Sequence, residues 1–298
     1  ESCRWLPPPT TGALRRCAPI RSALRRDLRP TRTIQGHEGA VWGPERRALD
    51  RAAPEGVPAP TLSFVLPMWN EAEGAARALR ECRRVGDALV RTGRVAAIEV
   101  IAVDDGSTDA TASVVEDLAS LDAAVRLVRH DQNRGIGAAI RTGLAATQGD
   151  LVAYTDADLP VAMDELVRAV DLQRQRDASV VAAHRVGRRV DGAKRRLYST
   201  TWNALVRWTL GLRLVDVNFA FKLFDGPAVR DLDLLSTSVC IDAEILARME
   251  RRGGRIEQFP AAYLERQTGS SSVASLRSVA DTLADLRRVR QSLRRTRR

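Results

Sequence analysis

The 298-residue sequence is poor in aromatic residues and in lysine, and it contains no long apolar run. Aromatic residues make up 4% of the chain, too few for the stacked aromatic platforms that bind single-stranded nucleic acid. No window of about 18 residues is uninterruptedly apolar, so we expect no transmembrane helix and no signal-peptide core. The four cysteines form no Cys-x-x-Cys pair, which argues against a disulfide framework and favours a reducing compartment.

Positive charge is abundant and comes almost entirely from arginine. The formal net charge is +10, and Lys194 and Lys222 are the only lysines. Residues 1–60 carry 11 arginines against 6 acidic residues, and residues 277–298 are also rich in arginine. Basic termini indicate contact with an anionic membrane or nucleic acid, although solvated tails are the alternative.

The chain divides into three regions by composition and periodicity. Residues 1–58 are rich in Arg and Pro without a sustained period, which predicts a disordered extension. Residues 59–275 alternate apolar strands with amphipathic helices, and this pattern predicts an α/β domain with a mostly parallel sheet. Residues 276–298 continue an amphipathic, arginine-rich helix that begins near Val273. That helix either lies on a membrane surface or packs on the domain.

The loops after the first two predicted strands carry polar residues. Pro67, Asn70 and Glu71 follow the first strand. Asn70 and Glu71 either cap the next helix or contact a nucleotide base or ribose. After the second strand, capping of the next helix accounts for Ser107 or Asp109. It does not account for the consecutive acids Asp104 and Asp105. Those carboxylates suit the hydrogen-bond donors of a ribose or a base.

The loop after the third strand contains Asn133, Gly135 and Gly137. The glycines open a helix, so its backbone amides are predicted to face an anion. A dinucleotide fingerprint would need a third glycine where Ile140 stands, and NAD binding is therefore not expected. His130 has no nucleophile to pair with and is interpreted as a loop residue.

Asp156 and Asp158 follow the fourth predicted strand, Leu151–Tyr154. Two acids at the end of a buried strand are costly unless a cation meets them, and Mg²⁺ binds carboxylates together with substrate phosphates. A solvated turn is the alternative for this pair alone. Because the ends of parallel strands meet at one edge of the sheet, the four loops together predict a nucleotide-sugar site.

Four segments resemble glycosyltransferase family 2 in sequence, order and spacing. They are Leu-Pro-Met-Trp-Asn-Glu (66–71), Val-Asp-Asp-Gly-Ser-Thr-Asp (103–109), Asn-Arg-Gly-Ile-Gly-Ala-Ala (133–139) and Asp-Ala-Asp-Leu (156–159). The segment 216–224 resembles the Phe-Lys-Leu-Phe region of the dolichyl- and polyprenyl-phosphate sugar synthases. Gly269-Ser-Ser-Ser272 is similar to their later Gly-x-Ser-Lys loop.

The resemblance implies a GT-A fold and an inverting, metal-dependent sugar transfer with Mg²⁺ or Mn²⁺. It makes Asp158 the main metal ligand and Asp156 a second ligand that also contacts the sugar nucleotide. The nucleotide-sugar contacts that we predict from the loops and the resemblance are Pro67, Asn70, Glu71, Asp104, Asp105, Asn133, Gly137 and Asp156. The catalytic group comprises Asp158, Asp156, Arg195 and Lys222.

The resemblance also implies a site for the acceptor phosphate. Its residues are Arg185, Arg195, Arg196, Ser199 and Lys222, although a solvated helix start is the alternative for the double arginine. The sequence departs from the subgroup in three places: Pro160-Val161 stands where Gln-His is usual, Ala220 replaces Gly, and Ser272 replaces Lys.

We therefore expect a glycosyltransferase that transfers the sugar of a nucleotide-sugar, of the GDP-mannose or UDP-glucose type, to a polyprenyl or dolichyl phosphate. It would act as a peripheral protein of the cytoplasm, on the anionic inner face of the plasma membrane, with no specific nucleic-acid partner. A saccharide or lipid-alcohol acceptor is the alternative, and Asp242 would then be the base. A non-catalytic binder of anionic surfaces or nucleic acid is a third hypothesis, motivated by the basic termini.

Overall fold

The computed structural model of the protein describes residues 58–186, 193–264 and 276–295, without the side chains of 193–199 and 276–277. The predicted extension up to residue 57 and the Gly269–Ser272 loop lie outside the described residues. The strands are β1 (Leu62–Met68), β2 (Ile98–Asp104), β3 (Val125–Arg129), β4 (Leu151–Thr155), β5 (Val180–Val186), β6 (Phe221–Asp225) and β7 (Ile256–Ala262). The helices are α1 (Ala72–Arg91), α2 (Thr111–Leu121), α3 (Ile136–Ala146), α4 (Glu165–Arg176), α5 (Ala193–Leu210), α6 (Gly226–Arg230), α7 (Ile241–Arg251) and α8 (Leu276–Arg295).

Within the described residues the strands form one sheet in the order β3-β2-β1-β4-β6-β5-β7. All neighbouring pairs are parallel except those of β6, which runs antiparallel to both β4 and β5. The predicted α/β class with a mostly parallel sheet is confirmed. The reversed strand has a consequence for the site, because β6 begins at the edge where β4 and β5 end.

Helices cover both faces of the sheet, as the continuous burial of the parallel strands requires. On one face Leu62, Phe64 and Leu66 of β1 pack with residues of α1 and α4, such as Leu79 and Leu166. On the other face the core combines side chains from β1, β4 and β6 with residues of α3, α5, α7 and α8. Both faces are therefore buried, and polar side chains gather at the ends of the strands.

The C-terminal helix α8 belongs to this second core. Leu286, Val289 and Leu293 are buried among residues of α5 and α7, whereas Val279 and Leu283 are exposed. One apolar stripe of α8 thus packs on the domain, while a second part of its surface faces solvent. None of the described helices combines the length and apolar character that crossing a bilayer requires.

Candidate active site

The loops after β1 and β2 are joined to each other by side chains. Asn70 adopts a left-handed backbone with φ 55°, and its carboxamide oxygen accepts a hydrogen bond from the amide of Thr108 at 2.9 Å. Ser107 Oγ accepts in turn from the amide of Asn70 at 2.9 Å. Asn70 therefore does not cap α1; it locks the two loops together at the carboxyl edge of the sheet.

Asp109 caps the starts of two helices. Its carboxylate accepts from the amide of Ala72 at 3.1 Å, at the start of α1, and from the amide of Thr111 at 2.9 Å, at the start of α2. Partial burial raises the pKa of Asp109, but the hydrogen bonds from Thr111 and Ala72 outweigh it and leave the pKa below its ordinary value. The sequence-based choice of Asp109 as a cap agrees with this geometry.

Pro67 and Glu71 stand beside this junction. Pro67 is a buried residue of β1 and pairs in register with Val103. Glu71 occupies the N-cap position of α1 without a capping bond from its side chain, and its amide donates to Thr111 Oγ1 at 2.9 Å. Pro67 thus lies near the end of β1, and Glu71 lies in the loop between β1 and α1. The contact of both residues with a nucleotide stays a prediction.

The adjacent acids Asp104 and Asp105 are both buried and have different partners. Asp104 accepts from the amide of Ser107 at 3.0 Å and forms an ion pair with Arg129 at 3.3 Å. Asp105 accepts from the amides of Arg134 and Gly135, both at 2.9 Å. Asp104 therefore shapes its own turn, and Asp105 anchors the loop that follows β3.

His130 completes the surroundings of Asp105. Its Nδ1 lies 2.6 Å from Asp105 Oδ1, and its Nε2 lies 2.9 Å from Thr142 Oγ1 on α3. The imidazole is buried and has a partner at each nitrogen, which agrees with its interpretation as a structural loop residue.

Gly135 and Gly137, at the start of α3, are packed against another backbone segment. The amide of Gly137 donates to the carbonyl of Thr237 at 2.9 Å. A Cβ built on Gly137 would lie 2.7 Å from the Ser236 carbonyl oxygen, so a side chain does not fit there. The expectation that these amides face a bound anion is wrong, because the amides of Gly135 and Gly137 both donate to oxygens of the protein itself. Asn133 lies exposed in the same loop, and its contact with a donor stays a prediction.

Asp156 and Asp158 follow β4 in a tight turn. The carbonyl of Asp156 accepts from the amide of Leu159, which adopts a left-handed backbone with φ 52°. Burial raises the pKa of Asp156 to about 7, and the negative charges of Asp158 and Asp242 contribute further. Three carboxylates thus crowd the same part of the edge, and a cation there would relieve their repulsion.

A buried charge pair lies beside this turn. Lys222 of β6 stands opposite Tyr154 of β4, and its Nζ donates to Asp242 Oδ1 and to the carbonyl of Phe219, both at 2.7 Å. Burial raises the pKa of Asp242, and the ammonium of Lys222 works against that shift. The Tyr154 hydroxyl donates to Asp156 at 3.1 Å and so connects this pair to the turn.

Lys222 is fully buried in this arrangement, with its ammonium directed at Asp242. Its predicted contact with an acceptor phosphate has no support from this geometry and stays a prediction. Sequence reasoning named Asp242 only as an alternative base, and it did not find Tyr154 as the link to Asp156. Tyr154 could have been found, because it is the polar residue two positions before Asp156 on the strand.

Arg185 is the penultimate residue of β5, at the same edge of the sheet. Its guanidinium lies 5.1 Å from the ring centroid of Phe219 and 5.3 Å from that of Tyr263. Its Nε forms an ion pair with Asp216 at 3.2 Å. Aromatic contacts on the guanidinium fix its direction. Sequence reasoning missed these partners, since nothing in the pattern brings residue 263 near residue 185.

Arg195, Arg196 and Ser199 lie in the first turns of α5, and their side chains are outside the described residues. Their predicted roles at an acceptor phosphate therefore stay predictions. Ser272 also lies outside the described residues.

The side chains at this edge suit a hard divalent cation, because such cations bind carboxylate oxygens. Here the carboxylates are close enough for the charges of Asp158 and Asp242 to raise the pKa of Asp156. Within the described residues, however, no group of three His, Cys, Asp or Glu side chains is arranged as a complete cage. Asp156 and Asp158 therefore fit a cation that shares its coordination with a substrate or water.

Comparisons with known proteins identify the family to which the chain is similar. The profile of Glycosyl transferase family 2 matches residues 63–231. The chain is 30% identical over 207 residues to the glycosyltransferase AglD of Haloferax volcanii, and this covers 68% of the chain and 33% of AglD. It is 30% identical over 219 residues to the undecaprenyl-phosphate 4-deoxy-4-formamido-L-arabinose transferase of Pseudomonas fluorescens, covering 73% of the chain and 62% of that protein. The chain thus spans about a third and about three fifths of these two relatives.

Solved structures with the same fold include two enzymes bound to nucleotides. Glucosyl-3-phosphoglycerate synthase from Mycobacterium tuberculosis, in complex with UDP, superposes with a TM-score of 0.60 at 21% identity and covers 88% of each chain. A mannosyltransferase from Pyrobaculum calidifontis, in complex with GDP-Man and Mn²⁺, has a TM-score of 0.57 at 22% identity, covering 83% of this chain and 69% of its own. These neighbours confirm the predicted GT-A fold, and the family profile, which matches more than half of the chain, shows that the protein belongs to glycosyltransferase family 2.

Proposed function

We propose that the protein transfers a sugar from a nucleotide-sugar to a polyprenyl phosphate at an anionic membrane surface. The observation that carries this proposal is the meeting of four strand ends at one edge. Asn70 and Asp105 follow β1 and β2 at this edge, and Asp156 and Asp158 follow β4. Of these, Asp156 lies near the buried pair of Lys222 and Asp242. The names of the relatives support the acceptor, since one of them is an undecaprenyl-phosphate transferase.

Asp158, with Asp156, would hold Mg²⁺ or Mn²⁺, which supplies charge neutralisation for the departing nucleoside diphosphate. Complexes of the Mycobacterium and Pyrobaculum enzymes with Mn²⁺ and a nucleotide-sugar support this choice. The loops after β1, β2 and β3 would hold the nucleotide, with the junction of Asn70 and Ser107 fixing their spacing.

In the proposed reaction an oxygen of the acceptor phosphate attacks the anomeric carbon from the face opposite to the nucleoside diphosphate. The new carbon–oxygen bond forms as the bond to the diphosphate breaks, and the diphosphate leaves with that electron pair. The anomeric configuration is therefore inverted. A phosphate monoester is already anionic, so the transfer needs no strong base. Arginines suit the orientation of this phosphate through bidentate hydrogen bonds, and Arg185, Arg195 and Arg196 are the proposed residues.

The test is a transfer assay with radiolabelled UDP- and GDP-sugars, polyprenyl phosphate and Mn²⁺ or Mg²⁺. Label should pass into the organic phase for one of the donors. Asp158→Ala should abolish this transfer, while Asp117→Ala, which removes an exposed carboxylate of α2, should not. Full activity of Asp158→Ala would contradict the metal assignment.

A second assay separates the acceptor from the donor. Replacing Arg195 and Arg196 with Ala should raise the KM for polyprenyl phosphate much more than the KM for the nucleotide-sugar. Equal increases in the two KM values would contradict the acceptor role of these arginines.

One observation favours a second candidate, transfer to a hydroxyl of a saccharide or lipid alcohol. The buried Asp242 lies at the start of α7 with a raised pKa, which suits a general base. This candidate predicts label on a hydroxyl acceptor and its loss in Asp242→Asn. Transfer to polyprenyl phosphate that survives in Asp242→Asn would favour the first function.

A further inference from the structure

A short segment before α7, residues 235–238, is held by two buried carboxylates. We call it the clamp segment. Glu244 of α7 accepts from the amides of Leu235 and Ser236 at 2.8 to 3.1 Å. Asp285 of α8 accepts from the amides of Thr237 and Ser238 at 3.0 and 2.9 Å. Four consecutive backbone donors are therefore satisfied by side chains of two different helices.

Asp285 is the more unusual of the two carboxylates, because it reaches the clamp segment from the C-terminal helix. It is fully buried, and Arg288 one turn later is its ion-pair partner. Ser238 Oγ also donates to Asp285 at 2.7 Å. A buried carboxylate with this many donors holds its partners firmly, since each of the hydrogen bonds is charge-assisted.

The opposite side of the clamp segment packs against the first turn of α3, directly after the loop that follows β3. The carbonyl of Thr237 accepts from the amide of Gly137, and the carbonyl oxygens of Ser236 and Ser238 lie 2.7 and 2.8 Å from the position of a Cβ on Gly137. The loop is thus fixed from two sides. Asp105 holds its amides at 134 and 135, and the clamp segment holds residue 137.

From this arrangement we infer that Asp285 is a positioning residue of the donor site, which it shapes through the clamp segment and the loop before α3. The inference rests on the proposed function, since it takes the loops at this edge to hold the nucleotide. Helix α8 would then be part of the nucleotide-sugar site, although the family profile ends at residue 231.

The test is calorimetric titration of the full chain with UDP or GDP in the presence of Mn²⁺. Asp285→Ala should weaken binding roughly tenfold, as expected when charge-assisted hydrogen bonds that shape a site are lost. Asp285→Asn keeps one acceptor oxygen and should weaken it less, and this variant decides the question if Asp285→Ala does not fold. Asp281→Asn, on an exposed position of the same helix, should bind like the wild type.

A second variant tests the route through the loop. Gly137→Ala should show the same loss of affinity, and the double variant Gly137→Ala/Asp285→Ala should be little worse than either single variant, because both disturb one contact. Wild-type affinity in a folded Asp285→Ala or Asp285→Asn protein would overturn the inference and leave the proposed function intact. Failure of the wild type to bind either nucleotide would overturn both.

Discussion

The buried carboxylates near the site fall into two groups with different chemistry. Asp105, Glu244 and Asp285 each accept hydrogen bonds from two backbone amides, so these carboxylates fix the geometry of loops. Asp156 and Asp242 have fewer donors and raised pKa values, because burial disfavours their charged forms. Asp156 is therefore available to a cation and Asp242 is balanced by Lys222, whereas substitution in the first group changes loop geometry.

The pair of Lys222 and Asp242 gives a stability prediction. Lys222→Met leaves a buried carboxylate without its ammonium and should lower the free energy of unfolding by about 3 to 5 kcal/mol. Lys222→Met/Asp242→Asn should recover part of this loss, since the uncompensated charge is gone. Urea unfolding of both variants is the measurement. A double variant as unstable as Lys222→Met would show that lost packing, and not the unpaired charge, dominates.

Asp109 gives a prediction about pH. Its pKa in the folded protein lies below the ordinary value of about 3.9, so its hydrogen bonds contribute fully above that pH. The contribution disappears as the pH falls through the lowered pKa. Asp109→Asn should therefore be less stable than the wild type at pH 6, and the difference should shrink below about pH 4. Urea unfolding across this range checks it, and a difference independent of pH would contradict the assignment.

At the scale of single elements, α8 has two surfaces that can be tested separately. Leu286→Ala removes a side chain buried against α5 and α7 and should cost about 2 to 5 kcal/mol of unfolding free energy. Leu283→Ala lies on the exposed side and should cost less than about 0.5 kcal/mol. Thermal and urea unfolding compare the two variants. Equal losses would contradict the packing of α8 on the domain.

The order of the elements was predictable from the sequence, and their contacts at the site were only partly so. The apolar run of β4 and the acids after it identify Asp156 and Asp158 correctly as the end of a buried strand. The antiparallel direction of β6 was not predictable, since the apolar pattern of a strand such as Phe221–Asp225 does not encode its direction relative to its neighbours. That direction is what places Lys222 beside Tyr154 and opposite Asp242.

The role of the two glycines at the start of α3 was likewise not predictable from the sequence. A Gly-x-Gly at a helix start is typical of anion binding, and the sequence was interpreted in that way. In the structure a glycine is needed at position 137 because the backbone of residues 236–238 approaches closely, and these residues lie about a hundred positions further along the chain. A pairing so distant in sequence leaves no local signal, whereas the capping of α2 by Asp109 is local and was recognised.

At the scale of the whole molecule, the positive charge gives the last prediction. Arg287 and Arg294 are exposed on α8, and each basic residue near an anionic bilayer contributes about 1 kcal/mol to binding. Replacing both with Gln should weaken sedimentation with anionic liposomes and leave binding to neutral liposomes and thermal stability unchanged. Arg80→Gln/Arg91→Gln, which removes the same charge from exposed positions of α1, is the matched control. Equal weakening in the two double variants would mean that net charge, and not the surface of α8, attracts the protein to the membrane.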